Sequence, residues 1–415
     1  MIWAKEETLP REEIERIQLT KLKDTVRYIY DRVKPYREKM DMAGVRPEDI
    51  QTLEDLKKLP FTYKADFRDH YPDGLFAVDK KEIVRYHASS GTTGKPTVVG
   101  YTRNDLDIWL NNVARIACMG GATEEDVAQI AFGYGTFTGA LGLHGGLEKI
   151  GASVIPMSSG NTNKQIMFLQ DMGVTLLVAT PSYALHLGEE LRRRGIDPSK
   201  DLKIRIGLFG GEGMTEPMRE EMHRVWGECT QLCGMHINED WFIPEIIDPE
   251  TEEVLPPGER GELVVTCLGK EALPIVRYRT GDMTRLMYEP CKCGRTTCRM
   301  ENLSGRADDM LVIRGVNVFP TQIEEVLLKI DEIGPHYEIL VERKNRLDVM
   351  TITVELIDDR LLDSYAKLSE LETRIKSALK SQLGLATCIR LVAPNSLRRF
   401  EGKAKRVTDL RKDGL

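Results

Sequence analysis

Short apolar runs alternate with helix-length segments between residues 84 and 226, and this alternation is the strongest constraint on the fold. Runs at residues 152–156, 175–180 and 204–209 have the length and apolar character of buried strands. Residues 163–172 and 215–225 have the length of helices. Strands that alternate with helices in this way pair in parallel within one sheet. We therefore predict an α/β fold.

The N-terminal region is more charged and shows a helical pattern. Within residues 8–60, Leu22, Val26 and Ile29 recur at the spacing of one helix face, which predicts amphipathic helices. The last of these is expected to end at Pro60, because proline stops a helix.

The C-terminal region changes character again and suggests a second domain. Strands and turns predominate beyond residue 240, until a polar break at residues 305–309. Strand-like runs at 337–341 and 349–356 and a helical pattern at 361–383 follow it. We predict a large N-terminal domain with parallel or mixed sheets, residues 1–306, and a small α+β domain, residues 307–415.

Charge and composition exclude two broad classes of function. The 58 Lys and Arg residues are outnumbered by 65 Asp and Glu, which gives a net charge of −7, whereas domains that bind a phosphate backbone are usually basic. The apolar runs fall well short of the roughly 20 residues that span a bilayer, and the N-terminus shows no apolar signal core. We expect a cytoplasmic protein that binds neither nucleic acid nor membrane.

A run of glycines and hydroxyl residues, here called the phosphate loop, has the composition of an anion-binding loop. Its members are Ser89, Ser90, Gly91, Thr92, Thr93, Gly94 and Lys95. Glycines allow backbone N–H groups to converge on an anion, and four hydroxyls with one ammonium add further donors. The run is not a Walker A motif, because Ser89 and Pro96 stand where that motif has Gly and Ser or Thr. We predict polyphosphate binding; a solvated surface turn is the alternative.

Seven segments that follow one another along the chain resemble the motifs of a known enzyme superfamily. They lie at residues 86–101, 131–139, 180–184, 209–212, 278–282, 314–320 and 401–406. Their residues and order resemble the adenylate-forming acyl-CoA synthetases and, among these, the phenylacetate–coenzyme A ligases. The resemblance implies that ATP and Mg²⁺ convert an aromatic carboxylic acid, phenylacetate first of all, to an acyl-adenylate, and that coenzyme A then displaces AMP. It also implies a homodimer.

The resemblance also implies which residues bind ATP. The phosphate loop would hold the β- and γ-phosphates. An adenine segment would lie against the base, Asp282 would accept hydrogen bonds from the ribose hydroxyls, and Arg306 would contact ribose or phosphate. The adenine segment consists of Gly210, Gly211 and Glu212. Read without the resemblance, these residues are an ordinary strand-ending turn, a turn aspartate and a solvated loop.

Two further roles concern chemistry and movement. Lys403 matches a mobile lysine that reaches the carboxylate and the α-phosphate during adenylation, and Lys95 is the second candidate catalytic residue. A compact ammonium on a flexible side chain suits the first task. Asp308 matches the hinge on which the C-terminal domain moves as a lid.

Aromatic residues among glycines mark a candidate pocket for the acid. In this acid segment, residues 132–137, Tyr134, Gly135 and Phe137 are the chosen lining residues. Rings separated by glycines can form a flat apolar slot. The glycine spacing does not match a dinucleotide-binding fingerprint. Packing of Phe132 and Phe137 in the core is the alternative.

Five of the eight cysteines cluster in two short stretches, which predicts a metal site. Together with one histidine, the candidates are Cys229, Cys233, His236, Cys291, Cys293 and Cys298. Four such ligands complete a tetrahedral zinc site, which is then closed and structural. The resemblance selects Cys229, His236, Cys291 and Cys293. Unligated buried thiols are the alternative.

One segment of the family pattern has no counterpart in this chain. Between Gly227 and Glu228 the family has about twenty more residues, including a Tyr-Gly-x-Ser/Thr-Glu motif that contacts adenine and Mg²⁺; this motif occurs nowhere in the chain. Either the segment is deleted, or it belongs to the intact protein and is missing from this sequence. The abrupt join between otherwise intact motifs favours the second explanation.

Three other functions remain open at this point. One is activation of a different aromatic acid, such as indoleacetate or a benzoate. Another is a degenerate nucleotide-binding protein without adenylation activity, which the absent motif favours and the retained Asp282 and Lys403 oppose. The third is a zinc hydrolase, which would need an open metal position and a nearby base.

Overall fold

The computed structural model of the chain describes residues 1–89, 96–227, 235–303, 311–313, 316–344, 347–400 and 406–412. The helices of these ranges are α1 (Arg11–Arg32), α2 (Lys34–Met42), α3 (Lys64–Asp69), α4 (Arg103–Met119), α5 (Thr138–Lys149), α6 (Thr162–Asp171), α7 (Pro181–Arg193), α8 (Pro198–Asp201), α9 (Glu216–Trp226), α10 (Pro320–Leu327) and α11 (Tyr365–Leu383). The strands are β1 (Arg85–Ala88), β2 (Val98–Tyr101), β3 (Val127–Ile130), β4 (Ser153–Ile155), β5 (Leu176–Ala179), β6 (Ile206–Phe209), β7 (Met235–His236), β8 (Phe242–Ile247), β9 (Gly261–Cys267), β10 (Tyr278–Thr284), β11 (Leu286–Met287), β12 (Arg299–Met300), β13 (Leu311–Ile313), β14 (Val316–Val318), β15 (Ile333–Lys344), β16 (Leu347–Leu356), β17 (Cys388–Val392) and β18 (Val407–Asp409).

A four-stranded parallel sheet of order β4–β3–β5–β6 forms the centre of the N-terminal part. Helices α5, α6 and α7–α8 connect its consecutive strands, since parallel pairing requires a crossover. Leu176 and Val178 pack with α4 and α5 on one face, while Leu177 and Ala179 pack with α6, α7 and α9 on the other. Burial of both faces explains the continuous apolar run of this strand.

Antiparallel sheets and the N-terminal helices surround this centre. β1 and β2 form a hairpin, β8, β9 and β10 form one sheet, and β7, β12 and β11 form another. The helix face predicted from the sequence, Leu22, Val26 and Ile29, is buried against Ile243 and Val276 of the β8–β10 region.

The C-terminal part has a core of its own. Its sheet has the order β17–β16–β15–β18, in which β15 and β16 are antiparallel and the outer strands run parallel to their neighbours. Helices α10 and α11 cover it through Ile323, Ile375 and Leu379, which pack on Ile339 and Ile352. This mixed structure is the predicted small α+β unit.

The sequence-based prediction of the fold class is confirmed, with local differences. The three predicted strands are β4, β5 and β6, but only β5 is buried along its whole length, because β4 and β6 are the edge strands of the sheet. Residues 53–60 form a 3-10 helix, Leu53–Lys58, rather than an α-helix. The long C-terminal helix begins at Tyr365, after a separate 3-10 turn at Asp359–Asp363, because Ser364 caps it. None of the described helices is both long and apolar enough to cross a membrane.

Candidate active site

The carboxyl ends of three neighbouring parallel strands carry segments singled out by the sequence. β3 leads into the acid segment, β5 into Thr180 and β6 into the adenine segment. The ends of parallel strands meet at one edge of a sheet, which is where such folds bind ligands. At Gly211, where φ is +81°, a Cβ atom would lie 3.6 Å from the Phe132 ring and 3.8 Å from the Thr180 methyl group. The fold therefore brings the acid and adenine segments together.

Glu212 of the adenine segment is held at the start of α7. Its carboxylate accepts hydrogen bonds from the Ser182 backbone N–H at 3.1 Å and from the Ser182 hydroxyl at 2.9 Å. N–H groups in the first turn of a helix have no partner within that helix, and a negative charge near them is stabilised. This contact fixes the adenine segment to the neighbouring strand connection.

The base of the phosphate loop is closed by the β1–β2 hairpin. The backbone N–H of Ser89 donates to the Thr97 carbonyl at 3.0 Å, and the Thr97 N–H donates to the Ser89 hydroxyl oxygen at 3.0 Å. Ser90, Gly91, Thr92, Thr93, Gly94 and Lys95 lie outside the described residues. Ser89 therefore has an observed structural contact, and its contact with phosphate stays a prediction.

The same hairpin contacts the acid segment. The Thr136 carbonyl lies 2.9 Å from the Ala88 backbone nitrogen and 2.9 Å from Nδ1 of His87. Thr136 stands between two of the predicted lining residues, Gly135 and Phe137. The strand that enters the phosphate loop is thus joined directly to the candidate acid pocket.

Of the two phenylalanines in the acid segment, one lies in the core and the other is accessible to solvent. Phe132 is 7% exposed and packs in the core beneath the sheet, whereas Phe137 is 52% exposed. A Cβ atom added at Gly135 would meet no described atom within 4 Å. The alternative of simple core packing therefore holds for Phe132 but not for Phe137, and open space lies beside Gly135.

Tyr134 is oriented by a short hydrogen-bonded chain. Its hydroxyl lies 3.0 Å from Nδ1 of His144, whose Nε2 lies 3.0 Å from the Glu148 carboxylate. When Nε2–H donates to the carboxylate, Nδ1 accepts a hydrogen bond from the tyrosine hydroxyl. Burial raises the pKa of Tyr134 to about 12, so the hydroxyl stays protonated at neutral pH.

Asp282 lies in a bulge rather than in a simple turn. The pairing of β10 with β9 shifts register between Arg279 and Met283, and Gly281 has a φ of +77° within this bulge. The Gly281 N–H donates to Glu262 at 3.1 Å, and the Asp282 N–H donates to the Thr280 hydroxyl at 3.0 Å. Bulges of this kind redirect a side chain and are common beside active sites.

Two arginines of the C-terminal part flank residues 401–405. The Arg399 guanidinium donates to both carboxylate oxygens of the buried Glu355, at 2.9 and 2.8 Å. Arg406 donates to Glu324 at 2.5 Å and lies 4.5 Å above the Tyr337 ring. The predicted residues Arg306, Asp308 and Lys403 lie outside the described residues.

The C-terminal part contacts the N-terminal part beside this region. The Thr215 hydroxyl donates to Glu324 at 3.0 Å, and His336 Nε2 lies 3.0 Å from Glu189. A small cleft lies between the two parts and is lined by residues from both, among them Ser182, His186, His336, Tyr337, Arg399 and Phe400. These contacts could not be predicted from the sequence, because their partners are far apart in the chain.

Three of the four predicted metal ligands come together. The ligand atoms of His236, Cys291 and Cys293 all lie within 4.8 Å of one another, and His236 Nε2 is 3.3 Å from the Cys293 sulfur. Ligands at about 2.0 Å for nitrogen and about 2.3 Å for sulfur around a tetrahedral zinc ion lie roughly 3.5 Å apart. The donor set and its spacing therefore fit zinc.

The orientation of His236 also suits a metal ligand. Its Nδ1 lies 2.9 Å from the Thr297 carbonyl, which only accepts, so Nδ1 carries the proton and Nε2 is left with its lone pair towards the cysteines. Gly294, with φ of +83°, allows the turn that places both cysteines on one side. Cys298 is separate: it is 1% exposed and packs in an apolar cluster. Cys229 and Cys233 lie outside the described residues.

Comparisons with known proteins agree with this fold. Residues 315–411 match the AMP-binding enzyme C-terminal domain family. A phenylacetate–coenzyme A ligase of Thermus thermophilus is 46% identical over 439 aligned positions, which cover 98% of this chain and 98% of the relative. Since 439 positions exceed the 415 residues of this chain, that relative has residues without a counterpart here.

Two solved structures of one enzyme, each in a different catalytic state, can be compared with the arrangement of this chain. A 2-hydroxyisobutyryl-CoA ligase in the postadenylation state, in complex with R3-HIB-AMP, is 27% identical with a TM-score of 0.90, covering 99% of this chain and 92% of that chain. The same enzyme with 2-HIB-AMP and CoA in the thioesterification state is 28% identical with a TM-score of 0.70, covering 98% and 91%. The arrangement here is therefore closer to the postadenylation structure.

The fold and the meeting of these segments at one sheet edge define an adenylate-forming CoA ligase. The sequence identity of 46% with the Thermus thermophilus ligase, over nearly the whole chain, then identifies the family within this class. The chain belongs to the phenylacetate–coenzyme A ligase family.

Proposed function

We propose that this chain ligates phenylacetate to coenzyme A through an acyl-adenylate that is formed from ATP. One observation carries the proposal: the base of the phosphate loop, the acid segment and the adenine segment meet at the carboxyl edge of the parallel sheet. The acid and the nucleotide would thus be held side by side. The relatedness to phenylacetate–coenzyme A ligases supports the choice of acid.

In the first step, a carboxylate oxygen attacks the α-phosphorus of ATP, a new P–O bond forms and pyrophosphate leaves. Both reactants are anions, so the site must neutralise and align them. The phosphate loop with its Lys95 would hold the β- and γ-phosphates, and Mg²⁺ would bridge phosphate oxygens. Lys403 would neutralise charge between the carboxylate and the α-phosphate. Gly210, Gly211 and Glu212 would lie against adenine, and Asp282 and Arg306 against the ribose.

In the second step, the thiol of coenzyme A attacks the acyl carbonyl and AMP leaves. Different groups are needed in the two steps, so the C-terminal domain, residues 307–415, would move as a lid about Asp308. Its separate core supports independent movement. The acid would lie between Tyr134 and Phe137, with the open space beside Gly135 receiving the ring.

A structural zinc ion belongs to the same proposal. His236, Cys291 and Cys293 supply three ligands, and Cys229 is the proposed fourth. Four protein ligands close the shell, so the ion would stabilise the β7–β12 region rather than take part in the reaction. This closed set argues against a zinc hydrolase.

The decisive experiment measures pyrophosphate release with ATP, Mg²⁺ and a panel of acids, with and without coenzyme A. We expect phenylacetate to give the highest kcat/KM and coenzyme A to be required for continued turnover. A preference for indoleacetate or a benzoate would change the substrate. Nucleotide binding without turnover of any acid would favour the degenerate protein, for which the missing Tyr-Gly-x-Ser/Thr-Glu motif is the specific observation.

Two simple measurements accompany this experiment. Intact-mass analysis decides between deletion and a missing segment after Gly227: a mass near 47.0 kDa means that the segment is deleted. Light scattering tests the proposed homodimer, for which twice the chain mass is expected. A cytoplasmic location, which would keep the cysteine ligands reduced, completes the proposal.

A further inference from the structure

We propose that His87 is a positioning residue that couples the acid site to the phosphate loop through the Thr136 carbonyl. The inference rests on the proposed function, because it assigns the two joined segments to the two substrates. It goes beyond that function by naming a residue outside both binding segments that sets their relative position.

The hydrogen bond fixes the tautomer of His87. A carbonyl oxygen only accepts, so the ring nitrogen 2.9 Å from Thr136, Nδ1, must carry the proton. The Ala88 backbone N–H donates to the same oxygen at 2.9 Å. The two donors occupy both lone pairs of one carbonyl, and both come from the strand that enters the phosphate loop.

The imidazole is held rigidly by aromatic neighbours. His87 is 2% exposed, and its ring packs edge-on against Tyr101 at 5.5 Å and Trp109 at 5.4 Å. Trp109 stacks on Tyr101 at 5.2 Å, and a Cβ atom at Gly142 would lie only 2.6 Å from the Trp109 ring. Helix α5, which follows the acid segment, therefore packs closely against the same group of aromatic rings.

The other ring nitrogen makes no comparable contact. Nε2 is buried and has no hydrogen-bond partner among the described residues. Among the described residues, the hydrogen bonding of the imidazole therefore runs through Nδ1 alone. A role in proton transfer would need a path from Nε2 to a reacting group, whereas a positioning role needs only the Nδ1–H donor.

The consequence is a mechanical connection between the two sites. Open space adjoins the acid segment at Gly135, where an added Cβ atom would meet no described atom within 4 Å, so side-chain packing does not restrain the segment at that residue. The pair of hydrogen bonds on Thr136 supplies this restraint. When ATP binds at the phosphate loop, the restraint should transmit the position of the loop's base to the acid segment, so that each ligand strengthens binding of the other.

The test compares two variants with and without the donor. In His87→Asn, the side-chain amide can replace Nδ1–H, while His87→Leu keeps similar bulk without a donor. Calorimetry measures the Kd of phenylacetate alone and in the presence of the non-hydrolysable analogue α,β-methylene-ATP. We expect the analogue to tighten acid binding roughly fivefold or more in the wild-type chain, as in typical coupled sites. The asparagine variant should retain this factor and the leucine variant should lose it.

Other outcomes overturn the inference. They are an absent coupling in the wild-type chain, an unchanged factor in the leucine variant, or equal loss in both variants while their melting temperatures stay unchanged. If the leucine variant does not fold, His87→Gln, whose amide lies at the Nε2 position, replaces it in the comparison. A wild-type chain that binds both ligands with coupling but releases no pyrophosphate contradicts the proposed function and leaves the inference supported. A chain that binds neither ligand contradicts both.

Discussion

His336 Nε2 lies 3.0 Å from the carboxylate of Glu189, and this contact joins strand β15 of the C-terminal part to helix α7 of the N-terminal part. Arg399 approaches the same carboxylate at 3.8 Å. Burial alone would raise the pKa of Glu189, but the hydrogen bond and charge of His336 and the charge of Arg399 hold it below its usual value. The carboxylate is therefore ionised at neutral pH and stabilises the arrangement seen here.

Removing this charge should loosen the contact between the two parts. We predict that Glu189→Gln lowers the rate of acyl-adenylate formation several-fold, because a partly exposed ion pair contributes on the order of 1 kcal/mol. Thioester formation from supplied phenylacetyl-adenylate should be unchanged or faster. The control is Glu190→Gln, since Glu190 pairs with Arg193 of its own helix. Equal rates for both variants in a pyrophosphate-exchange assay would refute a role in domain contact.

Lys403 should be required for only one of the two half-reactions. We predict that Lys403→Ala lowers acyl-adenylate formation by two orders of magnitude or more, as expected for loss of a charge that acts in the transition state. Formation of the thioester from supplied acyl-adenylate should continue. Lys405→Ala, two residues along the chain, is the matched control. A similar loss in both half-reactions would contradict the assignment.

The proposed zinc site predicts a stability effect that follows the metal. Cys293→Ser should abolish stoichiometric zinc and lower the melting temperature, because a structural metal stabilises the fold that binds it. Cys388→Ser, at an exposed cysteine of β17, should change neither quantity. Zinc is measured by elemental mass spectrometry and stability by calorimetry. Full zinc content in the Cys293 variant would remove this residue from the site.

Filling the open space beside Gly135 should affect the acid but not the nucleotide. We predict that Gly135→Val raises the KM for phenylacetate at least tenfold, since it adds three carbon atoms to the pocket and a misfit of even one methylene group costs about 1–3 kcal/mol. The KM for ATP, measured in the same assay, serves as the internal control. An equal rise in both values would indicate a general distortion and would place the acid elsewhere.

The pair formed by Glu355 and Arg399 should make stability depend on pH. Burial would raise the pKa of Glu355, but hydrogen bonds from Arg399 and the Leu397 N–H, together with the Arg399 charge, hold it below its usual value. A carboxyl group whose pKa is lowered by folding stabilises the fold at pH values above its unfolded pKa of about 4.3. This stabilisation is lost as the pH falls through the pKa of the folded state.

The expected result is a difference between the wild-type chain and Glu355→Gln in denaturant unfolding. At pH 7 the variant should be less stable by about 1–3 kcal/mol, because the half-buried Arg399 loses its charged partner. As the pH falls below about 4.3, the two stabilities should converge, since the wild-type carboxyl group then becomes neutral as well. A difference that stays constant over this range would exclude a contribution from ionisation.

The sequence predicts those parts of the site whose residues lie in short continuous segments of the chain. The phosphate loop and the cysteine stretches stand out because their proposed chemistry depends on residue types at close spacing, whereas the adenine segment is indicated only by the family resemblance. Apolar runs also mark the strands β4, β5 and β6, and burial on both faces explains the run of β5. The edge of the sheet at which the segments meet depends on the strand order, which only the structure shows.

The contacts between distant segments could not be predicted in this way. Glu189 and His336 are 147 positions apart, and nothing near either residue indicates its partner. The link from His87 to Thr136 is hidden for another reason: its acceptor is a backbone carbonyl, which every residue has. The proton position of His236 likewise depends on the Thr297 carbonyl, which only the fold brings near.

The pairing of Arg399 with Glu355 and of Arg406 with Glu324 sets a limit on how far the chain between them can extend. Lys403 is three residues from Arg406, so its backbone reaches no more than about 10 Å from that point. Under the proposed lid movement, the local concentration of its ammonium group at the reaction centre would therefore follow rotation of the whole C-terminal unit. One rigid movement would present the charge for adenylation, and the reverse movement would withdraw it completely before the thiol arrives.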